Sequence, residues 1–419
     1  MENKIRENIE SPDQLEALYQ ADKNGFKRSF LSIYSDISES SVSAFWKARL
    51  EFDKPAHIPS SDMKTNILWL IVACLISGLF IKIPQLFNMN LEETFFYEKN
   101  AGLIVLFGLS LYSFFTKKRL DPPPLIIAGV VFCVSAIYIN FLPSDRGSDS
   151  VALSFIHLPL FLWCLYGLIF IDFDLKETSK RIDYIRYNGD LVILIAIILI
   201  AGGILTGVTI GLFYAIDLNI ERFYFDYIVF VGLVSAPIVA TYVIKNFPAI
   251  TNKIAPIIAR LFSPLVLITL FVFLLSMAVT GKDPYNDREF LIVFNLLLLG
   301  VMAIIVFSVS ETSTHTKQRF NELTLFMLTI LTLIVDLVAL SAIIYRLGEY
   351  GITPNRVAVL GSNLLFFGNL LIILMDLYRT NFKGQSIKNV ELSIARYLPL
   401  YTAWTFFMTF GLPLLFGFK

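Results

Sequence analysis

The sequence predicts an all-α membrane protein, a polytopic transmembrane helical bundle of about eleven spans that follows a small helical head. The chain has 419 residues, of which 56% are hydrophobic and 38 are phenylalanine, and its mean hydropathy is +0.68. Its apolar runs are long and unbroken, and most approach the ~20 residues that cross a ~30 Å hydrocarbon core. A transmembrane β-barrel would show segments of about 10 residues with alternating polarity. The long runs therefore exclude that class.

Eleven apolar runs follow one another from Thr65 onward, and each is predicted to form one crossing helix because a helix satisfies its own backbone hydrogen bonds in lipid. They cover residues 65–84, 100–116, 122–142, 150–171, 190–214, 225–244, 257–279, 289–309, 322–345, 357–378 and 397–418. The predicted organisation is a head at residues 1–64 and a bundle at residues 65–419.

Lysine and arginine are concentrated on one side of these spans. The head and every second loop hold 25 of the 34 basic residues. Cytoplasmic loops retain positive charge, so we predict a cytoplasmic N-terminus and a C-terminus outside. The first span, and not a cleaved signal peptide, is expected to direct insertion.

The head is predicted to contain two or three short helices. Ser11 and Gln14 form a capping box at the start of the first helix, and Gly25 is expected to end it. Further apolar residues recur at helical spacing: Phe26, Phe30, Ile33, Val42, Phe45, Trp46 and Leu50. So few apolar residues predict no independent core of any size. The head is interpreted as a collar on the bundle or in the lipid interface, or alternatively as a docking site for a cytoplasmic partner.

Several kinds of chemistry find no support in the sequence. Cys74, Cys133 and Cys164 lie inside spans without CxxC or Cys/His spacing, so neither a disulfide nor a zinc site is predicted. The chain has no Gly-rich phosphate loop or kinase motif, so ATP-driven chemistry is not expected. No cofactor and no metal site are predicted, and nucleic acid is not an expected partner.

Three segments resemble the recurring motifs of a bacterial family of multi-pass membrane proteins, the family of domain of unknown function 4153. They are Ile156–Trp163 (IHLPLFLW), Asp283–Glu289 (DPYNDRE) and Tyr350–Arg356 (YGITPNR). The resemblance extends from the first span to the tenth. It implies a multi-pass protein of the bacterial cytoplasmic membrane, and it supplies no activity, substrate or catalytic residue.

The outer loops are short and carry charges of both signs, which suits loops folded against the mouth of the bundle. The candidate gate residues are Asp283, Asp287, Arg288, Arg346, Glu349 and Arg356. The same stretches are also rich in ordinary turn-forming residues. Both interpretations stay open on the sequence.

Polar side chains inside spans are costly and therefore mark candidate ligand- or ion-binding residues. Four of them are predicted to lie in the outer half of the membrane, at depths of roughly 9–14 Å: His157, Asn295, Asp336 and Asn363. Asp336 could alternatively pair with Arg346, Arg356 or His157. The other three could instead make hydrogen bonds between helices.

Two further features concern helix shape and packing. Pro159 is expected to bend its helix beside His157 and to leave the carbonyl of Phe155 unpaired. Gly203, Gly207 and Gly211 recur every four residues, which would let another helix approach closely. That row indicates static packing or dimerisation, or alternatively a seam that slides during transport.

The favoured function is a transporter or ligand-binding protein that takes a small solute or a proton into an outward-facing polar cavity. The first alternative is a non-catalytic scaffold or sensor, with an envelope partner or a second copy of the chain. The second is an outer-leaflet transferase with a lipid-linked donor, for which Glu92 and Glu93, with Glu98 nearby, would supply the acidic groups. An enzyme is the less favoured class.

Overall fold

A computed structural model of the chain describes residues 2–21, 23–37, 40–52, 60–117, 122–144, 147–214, 218–280, 285, 288–312 and 318–418. These residues form helices and connecting turns, and no strand occurs among them. The chain divides into two compact units, Met1–Lys64 and Thr65–Lys419.

The first unit contains four short helices. They are α1 (Glu2–Glu7), α2 (Pro12–Ala21), α3 (Lys23–Ile37) and α4 (Ser41–Phe52). Pro12 opens α2, where its missing N–H costs nothing. The helix ends at Ala21, and Gly25 lies inside α3, so the predicted stop at Gly25 is wrong.

The first unit has a core of its own, contrary to the expectation that it is too poor in apolar residues. Its buried members are Ile5, Leu15, Tyr19, Phe26, Phe30, Ile33, Trp46 and Leu50. Aromatic rings supply most of its volume: the Phe26 and Trp46 ring centroids are 5.0 Å apart, and those of Tyr19 and Trp46 are 5.4 Å apart. Arg49 covers the Trp46 ring at 4.7 Å and pairs with Glu16 at 2.6 Å. Large aromatic side chains bury enough area to offset their small number.

The second unit is a series of helices joined by short turns. They are α5 (Ser60–Ile81, which begins just before the unit), α6 (Ile83–Leu86), α7 (Leu91–Thr94), α8 (Phe96–Phe115), α9 (Pro122–Phe141), α10 (Asp149–Phe170), α11 (Thr178–Tyr214), α12 (Glu221–Tyr224), α13 (Phe230–Asn246), α14 (Pro248–Thr280), α15 (Arg288–Glu311), α16 (Arg319–Tyr350), α17 (Pro354–Lys383), α18 (Lys388–Phe406) and α19 (Leu412–Leu415).

Nine helices of the described chain are long and apolar enough to cross a membrane. Thr65–Ile81 is a shorter apolar helix. This is the architecture of a multi-pass helical membrane protein. Several helices extend beyond the apolar runs; α16, for example, reaches Tyr350, whereas the apolar run ends at residue 345.

The bundle has two groups of packed helices. In one group α8 packs against α9, α10 and α13, and in the other α14, α15, α16, α17 and α18 pack in succession. Helices α10 and α11 connect the groups, since α10 contacts α17 and α18, and α11 contacts α15 and α18.

Polar side chains tie these helices together across the bundle. One chain of hydroxyl groups runs from Ser113 through Tyr166 (3.0 Å) and Tyr187 (2.8 Å) to Thr241 (2.7 Å), and so links α8, α10, α11 and α13. Such hydrogen bonds replace the water that is missing from an apolar interior.

Two π-helical turns interrupt the helices, at Phe225–Val229 between α12 and α13 and at Phe407–Gly411 between α18 and α19. A π turn shifts the carbonyls out of the regular α-helical pattern. In the second turn the Thr409 carbonyl accepts from the Ser154 hydroxyl (2.7 Å) and the Tyr138 hydroxyl (3.2 Å). The irregular turn therefore binds α9 and α10.

Replacing Trp46 by alanine is expected to unfold the first unit, because the change empties its aromatic core and such changes cost about 3–5 kcal/mol. Phe45 is the matched control: it is adjacent in sequence but 61% exposed, so Phe45→Ala should cost less than about 0.5 kcal/mol. Limited proteolysis of the full-length protein, mapped to residues 1–64, measures the effect. Equal cleavage of the two variants would show that this core does not hold the unit together.

Candidate functional site

Asp336 occupies the middle of α16. It lies 14 residues before Tyr350, which places it roughly 21 Å from that end of the helix. The sequence estimate of roughly 14 Å assumed that the helix ends at Tyr345. Asp336 is thus 17 residues from one end of α16 and 14 from the other, close to the middle of the helix.

The Asp336 carboxylate is fully buried and has no hydrogen-bond partner among the described residues. Its side chain is 0% exposed, and neither carboxylate oxygen receives a hydrogen bond there. The pairings considered for it, with Arg346, Arg356 or His157, are therefore not made. An ionised carboxylate left alone in an apolar interior costs several kcal/mol. The group therefore requires a proton, a bound cation or water.

Asn369 of α17 lies at the same level as Asp336. The turn between α16 and α17 contains only residues 351–353, so the two helices form a tight antiparallel hairpin. Asn369 is 15 residues past Pro354, roughly 22 Å along α17, against roughly 21 Å for Asp336 along α16. The register of the hairpin thus brings a second polar residue to the depth of the carboxylate.

Tyr401 of α18 completes the group. The Asn369 amide Nδ2 donates to the Tyr401 hydroxyl at 3.0 Å, and the Asp336 carboxylate lies near the same tyrosine without a hydrogen bond to it. The other amide atom, Asn369 Oδ1, is buried and receives no hydrogen bond among the described residues. Asp336, Asn369 and Tyr401, which we call the mid-bundle cluster, join three neighbouring helices. Asn369 and Tyr401 were not among the predicted site residues.

Packing fixes the orientation of Tyr401. Its ring lies 5.4 Å from that of Tyr397 and 6.1 Å from that of Phe366, measured between centroids. The Tyr397 hydroxyl donates to the Leu365 carbonyl at 3.0 Å. A Cβ atom at Gly368 would lie 2.6 Å from that hydroxyl, so glycine leaves room for it. The packed rings of Tyr397 and Phe366 thus fix the position of the Tyr401 hydroxyl at the mid-bundle cluster.

Asn363 lies outside the mid-bundle cluster, nearer the 351–353 turn. It is nine residues past Pro354, roughly 14 Å along α17. Its side chain is buried, and neither amide atom has a hydrogen-bond partner among the described residues. The axial offset from Asp336 is therefore roughly 8 Å. Asn363 is a second buried polar group between the cluster and the turn.

Asn295 lies on α15, seven residues past Arg288 and roughly 10 Å from the start of the helix. Its side chain is half-buried and interacts within the chain. Counted from the ends that face the connection between α15 and α16, Asn295 lies 16 residues before Glu311, roughly 24 Å, and Asp336 lies 17 residues after Arg319, roughly 26 Å, so the two residues are at similar levels of neighbouring antiparallel helices.

His157 is half-buried on α10 and bonded to its own helix. Its Nδ1–H donates to the Leu153 carbonyl at 2.8 Å. Pro159 packs closely against α8, where a Cβ atom at Gly102 would lie 2.4 Å from the proline ring. The imidazole thus uses a local partner, neither a neighbouring helix nor the Phe155 carbonyl that Pro159 was expected to release. Nothing in the described contacts joins it to Asp336.

The loop charges divide into described and undescribed positions. Asp283, Asp287 and the side chain of Arg288 lie outside the described residues. The Arg356 guanidinium donates to the carbonyls of Tyr350 and Gly351, both at 2.6 Å. Within the described part of the chain, neither Arg346 nor Glu349 forms an ion pair. Arg356 therefore fixes the turn between α16 and α17 through backbone carbonyls.

The glycine row faces open space. In the described structure, no atom lies within 4 Å of a Cβ atom built at Gly203 or Gly207, and both residues are exposed on α11. Gly211 continues the same helix, and its surroundings lie outside the described residues. No helix of this chain approaches the described part of the row, so close packing there would need another molecule.

A small cavity lies away from the four predicted residues. It is too narrow to hold a water molecule, is partly open to the surface and lies between α11, α15 and α18. Its lining is Ile182, Ile185, Val306, Val309, Ser310, Glu391 and Ile394. Beside it, Arg186 donates to the Ser310 carbonyl (2.8 Å) and to Glu391 (3.0 Å). This contact holds three helices together at the ends opposite the 351–353 turn.

Comparisons with known proteins give no match: no protein-family model, no curated protein and no solved structure matches the chain. Among the described residues, no group of three or more His, Cys, Asp and Glu side chains could hold a metal ion. Of the acidic pair considered for transferase chemistry, Glu93 accepts from Asn90 at 2.7 Å, and the side chain of Glu92 lies outside the described residues. The mid-bundle cluster is therefore the candidate site that the geometry supports best.

A double-mutant cycle on Asn369→Leu and Tyr401→Phe should give a coupling of about 0.6 kcal/mol, and at most about 1.7 kcal/mol, because the two side chains share a hydrogen bond inside the bundle. The free energy of unfolding of the purified protein is the quantity to measure. Asn369→Leu combined with Trp404→Phe is the control, since Trp404 bonds to Ser362 instead. The changes in unfolding free energy of these two control substitutions should add to within about 0.5 kcal/mol. Equal coupling in both pairs would contradict the contact.

Proposed function

We propose that the chain is a protein of the bacterial cytoplasmic membrane that crosses it eleven times and moves or binds a small solute, with Asp336 as its proton-binding group. The eleven crossings combine the nine long apolar helices, the shorter apolar helix Thr65–Ile81 and the 20-residue helix Phe96–Phe115. The bias of 25 among 34 basic residues to one side supports a cytoplasmic N-terminus.

This topology predicts that residues 352 and 176 lie on opposite faces of the membrane. In a variant whose native cysteines are replaced, Ile352→Cys should react with an impermeant maleimide from outside intact spheroplasts. Lys176→Cys should react only after permeabilisation. If only Lys176→Cys reacted from outside, the proposed orientation would be wrong. If both variants reacted from outside, the proposed number of spans would be wrong.

One observation carries the functional proposal: Asp336 is a fully buried carboxylate, at mid-helix, without a protein donor in the described structure. Ionisable groups in membrane spans mark substrate, ion and proton paths. A proton suits this position better than a hydrated ion because it neutralises the group without needing additional volume. The protonated carboxyl is a donor, and the unpaired Asn369 Oδ1 at the same level is an acceptor of the matching kind.

Binding and release of this proton supply a basis for coupling. When Asp336 loses its proton, the buried charge has no ion partner on α16, α17 or α18 within the described residues. The ionised protein must then change conformation to admit water, or must take up a cationic solute. A ligand shifts such an equilibrium only through its different affinity for the two states. The solute would therefore bind one protonation state of Asp336 more tightly than the other.

An apolar carbodiimide should modify Asp336, because these reagents enter membranes and react with protonated carboxyl groups. Mass spectrometry of the purified protein locates the adduct. Asp336→Asn should insert and melt like the wild type, since the amide is isosteric and uncharged. In proteoliposomes given a panel of small solutes, it should lose the solute-dependent proton flux that the wild type shows.

Thr332→Val is the matched control. Thr332 is buried one turn away on α16, and its hydroxyl donates to the carbonyl of Leu328 in its own helix. This variant should keep both the adduct at Asp336 and the proton flux. An unmodified Asp336, or full flux in Asp336→Asn, would refute the proposal.

A second candidate function is a scaffold or sensor, and the separate core of the first unit favours it. A unit that buries Trp46 and Phe26 through its own contacts can present a fixed surface to a partner. This function would replace the first if Asp336→Asn were silent and if an envelope or cytoplasmic protein copurified stoichiometrically in a manner that depends on residues 1–52.

A further inference from the structure

A second buried charge, Lys82, lies far along the chain from the mid-bundle cluster. It occupies the turn between α5 and α6, directly after the apolar helix Thr65–Ile81. The residue is only 7% exposed, and its amine Nζ receives no hydrogen-bond acceptor among the described residues. A lysine ammonium carries three N–H donors. Burying all three without an acceptor is costly.

The surroundings of Lys82 attract a cation but leave its donors unused. The amine lies 4.8 Å from the centroid of the Tyr227 ring and 5.4 Å from that of Phe230. Ring faces favour a cation without accepting a conventional hydrogen bond. The Asp226 carboxylate adds an electrostatic attraction. These surroundings stabilise an ammonium group at this position. Its N–H donors remain available for the acceptor oxygens of a ligand.

Gln85 presents an unused acceptor beside the unused donor. Its amide nitrogen donates to the Tyr97 hydroxyl at 2.8 Å, and the Tyr97 ring stacks on Phe230 at 5.6 Å with an interplanar angle of 9°. The carbonyl oxygen Gln85 Oε1 is buried and receives no donor among the described residues. A ligand that satisfies both residues must therefore bring acceptor oxygens for Lys82 and an N–H or O–H group for Gln85.

Tyr227 contacts the Lys82 amine through its ring and is itself half-exposed. Its side chain is 52% exposed, and it belongs to the π-helical turn Phe225–Val229, which also carries Asp226. Such turns recur at functional sites. Exposed apolar side chains surround the same helix ends: Leu86, Phe87 and Phe223. A belt of aromatic residues at the end of a span is typical of the membrane interface, where lipid headgroups lie.

We propose that Lys82, Gln85, Asp226 and Tyr227 bind a zwitterionic headgroup that contains a phosphate and a primary amine, as an aminophospholipid does. The phosphate oxygens accept from Lys82, and the ammonium donates to Gln85 Oε1 and lies near Asp226. The charges match one to one, since the site has one cation and one anion and so does the headgroup. Tyr227 keeps its ring face on the Lys82 ammonium.

The test compares headgroups on purified full-length protein in mixed micelles, with native mass spectrometry and thermal unfolding as readouts. Phosphatidylethanolamine should bind and raise the melting temperature. Phosphatidylcholine has no N–H donor for Gln85, and phosphatidylglycerol has no cation for Asp226, so both should bind more weakly. Soluble glycerophosphoethanolamine identifies the source: binding as tight as that of the lipid would refute a lipid ligand and would assign the site to a small phosphate ester.

Lys82→Met keeps the length of the side chain and removes its donors, so phosphatidylethanolamine affinity should fall about tenfold or more, the loss expected for a charged hydrogen bond. The variant without lipid should melt no lower than the wild type, because it loses an unpaired buried charge. Tyr227→Phe should retain most of the binding.

Lys99→Met is the matched control. Lys99 is equally buried, at 5% exposed, but it donates to the Leu142 carbonyl at 2.8 Å and to the Ser144 hydroxyl at 3.0 Å. Its loss should destabilise the protein without weakening lipid binding. If Lys82→Met binds lipid like the wild type, or if it melts as low as Lys99→Met, the proposal is wrong.

Discussion

The cost of leaving a polar group unpaired in an apolar bundle governs this structure. Lipid offers no donor or acceptor, so the polar side chains of the spans must satisfy one another or their own helices. Most of them do: Asp376 accepts from Ser393 at 2.6 Å and from Arg379 at 3.2 Å. Asp336 and Lys82 differ, because neither charged group has a hydrogen-bond partner among the described residues.

The short turn between α16 and α17 decides which residues share the candidate site. The turn of residues 351–353 is too short to let the two helices slide past each other, and Arg356 fixes it through two backbone carbonyls. Every level of α16 is thereby matched to one level of α17, so Asp336 and Asn369 lie at the same level. Helix α18 runs back along α17 and brings Tyr401 to the same height. The site follows from helix lengths and from one turn, which Arg356, one of the loop residues predicted to form a gate, holds in place.

Much of this architecture could be predicted from the sequence, and the exceptions have physical causes. Long apolar runs identify helices, and an isolated aspartate within such a run identifies Asp336. The depth of Asp336 could not be predicted, because α16 continues past the apolar run to Tyr350. Asn369 could have been predicted, since counting residues from the 351–353 turn places it at the same level as Asp336. Tyr401 could not have been predicted, because a tyrosine inside a span gives the same sequence pattern as any packed aromatic residue. A histidine inside a span is rare and therefore suggests a site, but His157 bonds within its own helix.

The comparison of Lys82 with Lys99 shows why burial alone does not identify a site. Both lysines are almost fully buried, and both lie next to aromatic rings. The ammonium of Lys99 bonds to the Leu142 carbonyl and so ties α8 to the end of α9, which makes it part of the fold. The ammonium of Lys82 has rings and a carboxylate around it but no oxygen bonded to it in the described structure. The same reasoning separates Asp336 from Asp376. An unpaired buried charge has a cost that a ligand or a proton can offset, and the two charged groups that are buried without a hydrogen-bond partner among the described residues, Asp336 and Lys82, occur in different groups of helices. The proposed proton-binding centre and the proposed headgroup site therefore lie in different parts of the same bundle.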